Sequence, residues 1–286
     1  MTGDGQADRL VRAKRAPTSL VIIGHPVAQS MSPSIQNAAL HAADIDVTYG
    51  RHDVTADDLL TTLYEFANQK IAGNVTMPHK EAVFAASTRR SPIAERVGAV
   101  NTFWFDDHTL CAHNTDVAGI LATMRALCPG GLRNRRVALL GAGGSAAAAL
   151  VALDTIGCGE IVVWARTAAR AHSLAARVSV SITSVGSASE AVTNAALVIN
   201  CTPLGMRNDA FPVLPALLPT DCAVFDLVYR RGETAWVRTC RERGLRATDG
   251  LLMLVEQGAE AFRTWFNREP SVAAMWGALH PEVRTL

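Results

Sequence analysis

Short apolar runs alternate with segments of helical period along almost the whole chain, the signature of parallel β/α units. Residues 19–23 read as a first strand. Ser32 and Pro33 then supply an N-cap followed by proline at the first helical position, for a helix to about residue 43. A strand is predicted over 47–53, a helix capped by Thr55 and reaching residue 68, a strand over 71–76, a helix opened by Pro78, and a strand over 102–105. After Asn114 the pattern restarts with a helix over 116–127 and a turn cluster at 128–131. A strand over 136–140 follows, then an alanine-rich helix to about 156 and strands over 160–164, 197–200 and 223–227. A long helix over 251–266 comes next, with a shorter one after Pro270. The chain is therefore read as α/β, with a break in organisation near residue 115.

Composition narrows the class without naming a chemistry. Of 286 residues, 49% are hydrophobic and 19% charged, and the formal net charge is +1 at pH 7. That suits a packed globular protein of two domains and gives no electrostatic footprint for nucleic acid or an acidic membrane. No apolar stretch approaches the roughly 18–20 residues that span a bilayer. Met1 to Ala16 is polar, lacks the apolar core of a secretory signal and reads as a loose tail. The six cysteines include no C-x-x-C pair. Buried free thiols and a cytoplasmic location are expected, with no metal site.

Gly141, Gly143 and Ala146 form G-x-G-x-x-A between a predicted strand and helix. The first glycine permits the tight turn, the second lets backbone approach a pyrophosphate, and the small third residue lets helix and strand pack closely. The opening amides of the helix then face the phosphates, so Gly141, Ala142, Gly143, Gly144 and Ser145 are candidate dinucleotide contacts. NAD sites place an acid at the end of the next strand. Here that stretch is Ala165-Arg166-Thr167-Ala-Ala-Arg170, without one. Arg166 is suited to a 2′-phosphate, Thr167 to bonding the phosphate while capping the next helix, and Arg170 lies one turn on. NADP is the expected cofactor.

The segment Gly73-Asn-Val-Thr-Met-Pro-His-Lys80 places a lysine in the first turn of a predicted helix, where a cation opposes the helix dipole. That cost is tolerable where the lysine moves a proton. The segment resembles the signature of the shikimate dehydrogenase family: Asn-Val-Thr, any residue, Pro, any residue, Lys. The resemblance continues in order through Gly24-His-Pro-Val-Ala-Gln-Ser-Met-Ser-Pro33, Gly98-Ala-Val-Asn-Thr102, Asn114-Thr-Asp-Val-Ala-Gly119, the loop at Gly141, Asn200-Cys-Thr-Pro-Leu-Gly-Met206, Asp226-Leu-Val-Tyr229 and Asp249-Gly-Leu-Leu-Met-Leu-Val-Glu-Gln257.

The resemblance implies a substrate domain of residues 1–115 completed by 251–286, and a Rossmann-type NADP domain of 116–250, with substrate in the cleft between them. It implies Lys80 and Asp116 as catalytic residues. Ser30 and Ser32 would bind a substrate carboxylate, Thr76, Asn101, Asp116 and Gln257 its ring hydroxyls, and Tyr229 would close over it. Thr202, Leu227, Gly250 and Met253 would join the cofactor site. The implied reaction is NADP-dependent reduction of 3-dehydroshikimate to shikimate, by a monomer or homodimer. Neutral donors and acceptors suit a polyhydroxylated ring, and hydride transfer belongs to the cofactor. Gln36-Asn37 stands where relatives commonly show His-Asn, Ala165 where many have Asn, and Phe266-Asn267 where Thr-Gly often follows the tryptophan. These departures leave room for quinate or an amino analogue as substrate. A non-catalytic sensor of NADP or shikimate-like acids is the alternative from another class.

Overall fold

A computed structural model describes residues 12–230 and 232–279. Of the tail expected over Met1 to Ala16, residues 1–11 lie outside the described residues. Ala13 and Lys14 are tied down, by backbone donation to Thr264 O at 2.9 Å and to Asp106 Oδ1 at 3.1 Å. The chain divides into two compact units. One comprises the chain up to Asp116 and resumes at Val255; the other runs Val117–Leu254.

The first unit is a six-stranded sheet, β1 (Ser19–Gly24), β2 (Tyr49–Asp53), β3 (Ile71–Val75), β4 (Arg89–Arg90), β5 (Thr102–Asp106) and β6 (Thr109–His113), in the order β2-β1-β3-β5-β6-β4. Its helices are α1 (Ser32–Ala42), α2 (Leu59–Gln69), α3 (Lys80–Ala86) and α4 (Pro92–Val97). The β1–β2 and β1–β3 pairs are parallel, as the β/α pattern predicts, and so is β4–β6, between two strands that the pattern does not predict. The β5–β6 hairpin, with Asp107 at positive φ in its turn, was not legible in the sequence, and β5 runs antiparallel to β3. That reversal has a positional consequence. The start of β5 and the exit of β6 lie at the same sheet edge as the ends of β1 and β3, so four loops converge there.

Several predicted caps fall differently. Ser32 is the first residue of α1, with Met31 at the cap and no side-chain cap bond. Thr55 bonds Asp58 in a turn ahead of α2 and does not cap the helix. Pro78 occupies the turn before α3, which begins at Lys80 itself.

The second unit holds a parallel sheet of β7 (Arg136–Leu140), β8 (Glu160–Trp164), β9 (Thr183–Ser184), β10 (Leu197–Asn200), β11 (Ala223–Asp226) and β12 (Arg246–Thr248). The order is β12-β11-β10-β7-β8-β9, so the winding reverses between β7 and β10. In doubly wound sheets that switch point is where ligands bind. Its helices are α5 (Asp116–Leu127), α6 (Gly144–Thr155), α7 (Ala168–Val178), α8 (Ala188–Val192) and α9 (Ala235–Glu242). Helix α10 (Leu251–Phe266) carries the chain back to the first unit, where α11 (Val272–Gly277) is the last described helix. Residues Ala146 to Leu153 of α6 are all fully buried, so this alanine-rich helix packs on every side.

Candidate active site

The loops after β1 and β3 are stitched together before any ligand is considered. Thr76 N–H donates to Ile23 O at 2.8 Å and His25 N–H to Met77 O at 3.1 Å. A Cβ on Gly24 would sit 2.4 Å from Thr76 Cγ2, so glycine there permits the close approach. Ser30, Ser32 and Thr76 thus belong to neighbouring loops at one sheet edge. Ser30 Oγ accepts from Ser32 N–H at 3.2 Å.

Lys80 and Asp116 meet directly. Lys80 Nζ donates to Asp116 Oδ2 at 2.5 Å, and the two side chains are only 16% and 6% exposed. Asn101 is the hub beside them. Its Nδ2 donates to Asp116 Oδ1 at 2.8 Å, Thr115 Oγ1 at 2.9 Å and Gln257 Oε1 at 3.2 Å, and its Oδ1 accepts from Thr115 N–H at 2.7 Å. Behind it stands a layer that sequence reasoning missed. Tyr49 Oη donates to Asn74 Oδ1 at 2.7 Å, and Asn74 Nδ2 donates to Asn101 O and to Thr102 Oγ1, both at 3.0 Å. The signal for Asn74 was its place in the same Asn-Val-Thr run as Thr76; nothing in the pattern pointed to Tyr49. Of the eight residues expected to handle substrate, all but Tyr229 lie in this first unit.

A cation held by a carboxylate within a network of neutral amides and hydroxyls offers one mobile proton and several fixed hydrogen-bond partners. That combination suits a ligand carrying several hydroxyls, one of which must gain or lose a proton.

The second unit gathers the other candidates at the ends of β7, β8, β10 and β11. Gly141 has φ +111°, and a Cβ there would lie 3.0 Å from the Cys201 carbonyl carbon, so the turn requires glycine. Gly141 N–H bonds Trp164 O at 2.8 Å, tying the loop to the end of β8. A Cβ at Gly143 would meet no protein atom within 4 Å, which leaves room for a ligand against the backbone. Gly143 caps α6, whose opening amides at Gly144 and Ser145 have no intrahelical acceptor. The residues therefore fit a dinucleotide pyrophosphate.

Arg166, Thr167 and Arg170 are exposed where β8 runs into α7, and among the described residues neither arginine has an ion-pair partner. Thr167 is the cap residue of α7, but its side chain makes no cap bond, so the capping role expected for it does not hold. Ala165 precedes them, half-buried. Thr202 Oγ1 donates to Asn200 Oδ1 at 2.6 Å, and its Cγ2 lies 3.1 Å from where a Gly141 Cβ would be. Gly250 packs on Leu227, whose carbonyl oxygen would be 2.4 Å from an added Cβ, and on the Tyr229 ring; Met253 is buried one turn on.

Two acids that open motifs quoted from the sequence, but were given no role there, are buried at the ends of β11 and β12. Asp226 accepts from Asn200 Nδ2 at 2.8 Å, Val228 N–H at 3.1 Å and Thr234 Oγ1 at 2.9 Å. Burial nevertheless pushes its carboxyl up to about 6. Asp249 accepts from Leu251 N–H at 3.1 Å at the start of α10, and burial pushes it up to about 7.

Among the described residues no helix is long and apolar enough to cross a membrane, and no cluster of three metal-ligating side chains occurs. All six cysteines are free. Four are buried, and Cys158 and Cys201 are half-buried.

Comparison with known proteins bears on most of the chain. Residues 22–103 match the model of the shikimate dehydrogenase substrate binding domain, 123–205 that of shikimate / quinate 5-dehydrogenase, and 250–280 that of the shikimate 5′-dehydrogenase C-terminal domain. The shikimate dehydrogenase (NADP(+)) of Mesorhizobium japonicum is 40% identical over 262 residues, covering 90% of this chain and 94% of its own. The structure of shikimate 5-dehydrogenase from Thermus thermophilus, in complex with NADP(H) and shikimate, is 35% identical with a TM-score of 0.83, covering 91% of this chain and 98% of that one. Quinate dehydrogenase from Corynebacterium glutamicum, in complex with NAD, is 29% identical at the same TM-score, covering 92% and 98%. This chain belongs to the shikimate dehydrogenase family.

Proposed function

We propose that the protein is an NADP-dependent shikimate dehydrogenase, which reversibly reduces 3-dehydroshikimate to shikimate. The observation that carries this is the 2.5 Å Lys80–Asp116 pair, fixed through Asn101 to Gln257. NADPH supplies the hydride when bound. Lys80 gives a proton to the ring oxygen as it becomes a hydroxyl, and takes it back in oxidation. Asp116 holds Lys80 in place and accepts from the ring. Thr76, Asn101 and Gln257 bond the remaining hydroxyls, Ser30 and Ser32 bond the carboxylate, and Tyr229 covers the ring. The unit built around β1–β6 is the substrate domain and the unit around β7–β12 the cofactor domain.

Gly141, Ala142, Gly143, Gly144 and Ser145 hold the pyrophosphate. Thr202, Leu227, Gly250 and Met253 border the nicotinamide. Arg166, with Thr167 and Arg170, reads the 2′-phosphate; these arginines favour NADP over the NAD that a quinate enzyme would use. A sensor would have no use for a buried lysine–carboxylate pair. Six free thiols suit the reducing cytoplasm, and the expected assembly is a monomer or homodimer. The test is a panel of shikimate, quinate and aminoshikimate against NADP and NAD. Shikimate with NADP is expected to give the highest kcat/KM; equal or better turnover of quinate would overturn the substrate assignment.

A further inference from the structure

β2 is an edge strand, and its last four residues are exposed, so Arg51 and Asp53 have no core to fill. Two apart on a strand, they point to the same face. Both reach the loop that joins β1 to α1, one to each end of it. Asp53 holds the beginning: its Oδ1 pairs with His25 Nδ1 at 2.5 Å and its Oδ2 accepts from Val27 N–H at 3.3 Å. Arg51 holds the end, donating from Nε at 3.1 Å and Nη2 at 2.6 Å to the carbonyl oxygen of Ser30.

A guanidinium that places two N–H groups on one acceptor fixes orientation as well as distance, which an ammonium cannot do. The clamped carbonyl belongs to the residue whose hydroxyl accepts from Ser32 N–H at 3.2 Å. With that lone pair engaged, the Ser30 proton is free to be given to another acceptor. The loop has no ladder or helix of its own to keep it in this shape. Besides one turn bond, Ser30 N–H to Val27 O at 3.0 Å, and the His25–Met77 bond to the loop after β3, it is held by side chains from β2.

We propose that Arg51 is a positioning residue for substrate: by clamping the Ser30 carbonyl it holds the hydroxyls of Ser30 and Ser32 where a carboxylate can accept from both. The proposal rests on the function given above, and Asp53 serves the same end from the start of the loop. Arg51 touches neither the reacting carbon nor the Lys80–Asp116 pair, so the effect falls on substrate affinity and not on the chemical step.

The test is steady-state oxidation at saturating NADP, with shikimate and its neutral methyl ester as paired substrates, for the wild type, Arg51→Gln, Arg51→Lys and Asp53→Asn. Arg51→Gln is expected to raise KM for shikimate about tenfold, the size of one charge-assisted hydrogen bond. kcat and the KM for NADP stay close to wild type. The methyl ester, which asks less of the serines, is penalised less. Arg51→Lys keeps the charge without the fork and recovers only part of the loss. Asp53→Asn moves KM the same way, and carries the test if Arg51→Gln does not fold. An unchanged KM, or an equal penalty on acid and ester, would overturn the inference while wild-type turnover of shikimate left the function standing. A wild type inert toward shikimate would overturn both.

Discussion

The unit around β1–β6 and the unit around β7–β12 handle polarity differently. In the first, Tyr49, Asn74, Asn101, Thr102, Thr115, Asp116 and Gln257 form one cross-bonded buried network with Lys80 at its edge. In the second, the contacts proposed for the cofactor are glycine backbone and exposed arginines, and the buried polar groups at the strand ends form a smaller set in which Asn200 and Thr234 both donate to Asp226. A polyhydroxylated ring presents many weak contacts in fixed directions, so its site gains from partners that hold one another in place. A dinucleotide presents phosphates, for which amide dipoles and mobile cations suffice. Substitutions in the first unit's network should therefore spread through it, whereas those at the second unit's exposed arginines should stay local.

The largest effect is expected at Lys80. General acid-base catalysis contributes about 10²–10⁴-fold, so Lys80→Ala should lower kcat by that order with a smaller change in KM. Asp116→Asn should lower kcat and raise KM, because the carboxylate holds the lysine and is proposed to bond the ring. NADP binding, by fluorescence titration, should survive in both. Wild-type kcat in Lys80→Ala would leave the proton donor unassigned.

Asn101→Ala comes next and bears directly on the contrast. It strips acceptors or donors from Thr115, Asp116 and Gln257 at once. Each buried group left unpaired costs about 1–3 kcal/mol. Thermal stability and substrate KM should both suffer. Arg166→Ala is the counterpart in the other unit. Loss of a charge-assisted contact worth roughly 1.5–3 kcal/mol should weaken NADP, leave NAD nearly unchanged and leave the melting temperature where it was. If Asn101→Ala proved as local as Arg166→Ala, the network would not be acting as one.

The two units were also unequally legible. The strand–glycine loop–helix run at Gly141 carries its geometry in sequence, because positive φ at Gly141 and the fully buried helix behind it leave few other residue choices. The elements β7, β8, β10 and β11 stand within a residue of the predicted strands for the same reason: parallel buried strands read as apolar runs. The first unit gave up its motifs but not its assembly. Short β4 and the half-polar β6 carry no strong alternation, so the hairpin that returns the chain from Asn101 to Asp116 was invisible. So was the reason that Lys80 meets Asp116. The service residues Tyr49, Asn74 and Arg51 act through contacts distant in sequence, and no spacing rule finds those.

The smallest effect expected is on the pH dependence of stability, and here the units should differ in sign. His113 in the first unit is buried, bonded to Ser91 Oγ at 2.7 Å, and burial pushes it down to about 4 from 6.5. The unfolded chain takes that proton more readily, so this contribution to stability is lost as pH falls from about 6.5 toward 4. Asp226 and Asp249 in the second unit are raised to about 6 and about 7 from 3.8. The folded chain keeps protons that the unfolded chain releases, so their contribution is present at low pH and is lost as pH rises through those values. Between about pH 4.5 and 5.5 each group amounts to one proton, or about 1.4 kcal/mol per pH unit. Asp226→Asn keeps the acceptor for Asn200 and removes one falling contribution, so its stability should change with pH more positively than that of the wild type. His113→Asn removes the opposing one and should shift the slope the other way. For domains of this size 1 kcal/mol moves Tm by about 2–4 °C, so melting curves at three pH values resolve both shifts. Slopes that moved in the same direction in the two variants would show that at least one of these groups is not titrating as its burial dictates.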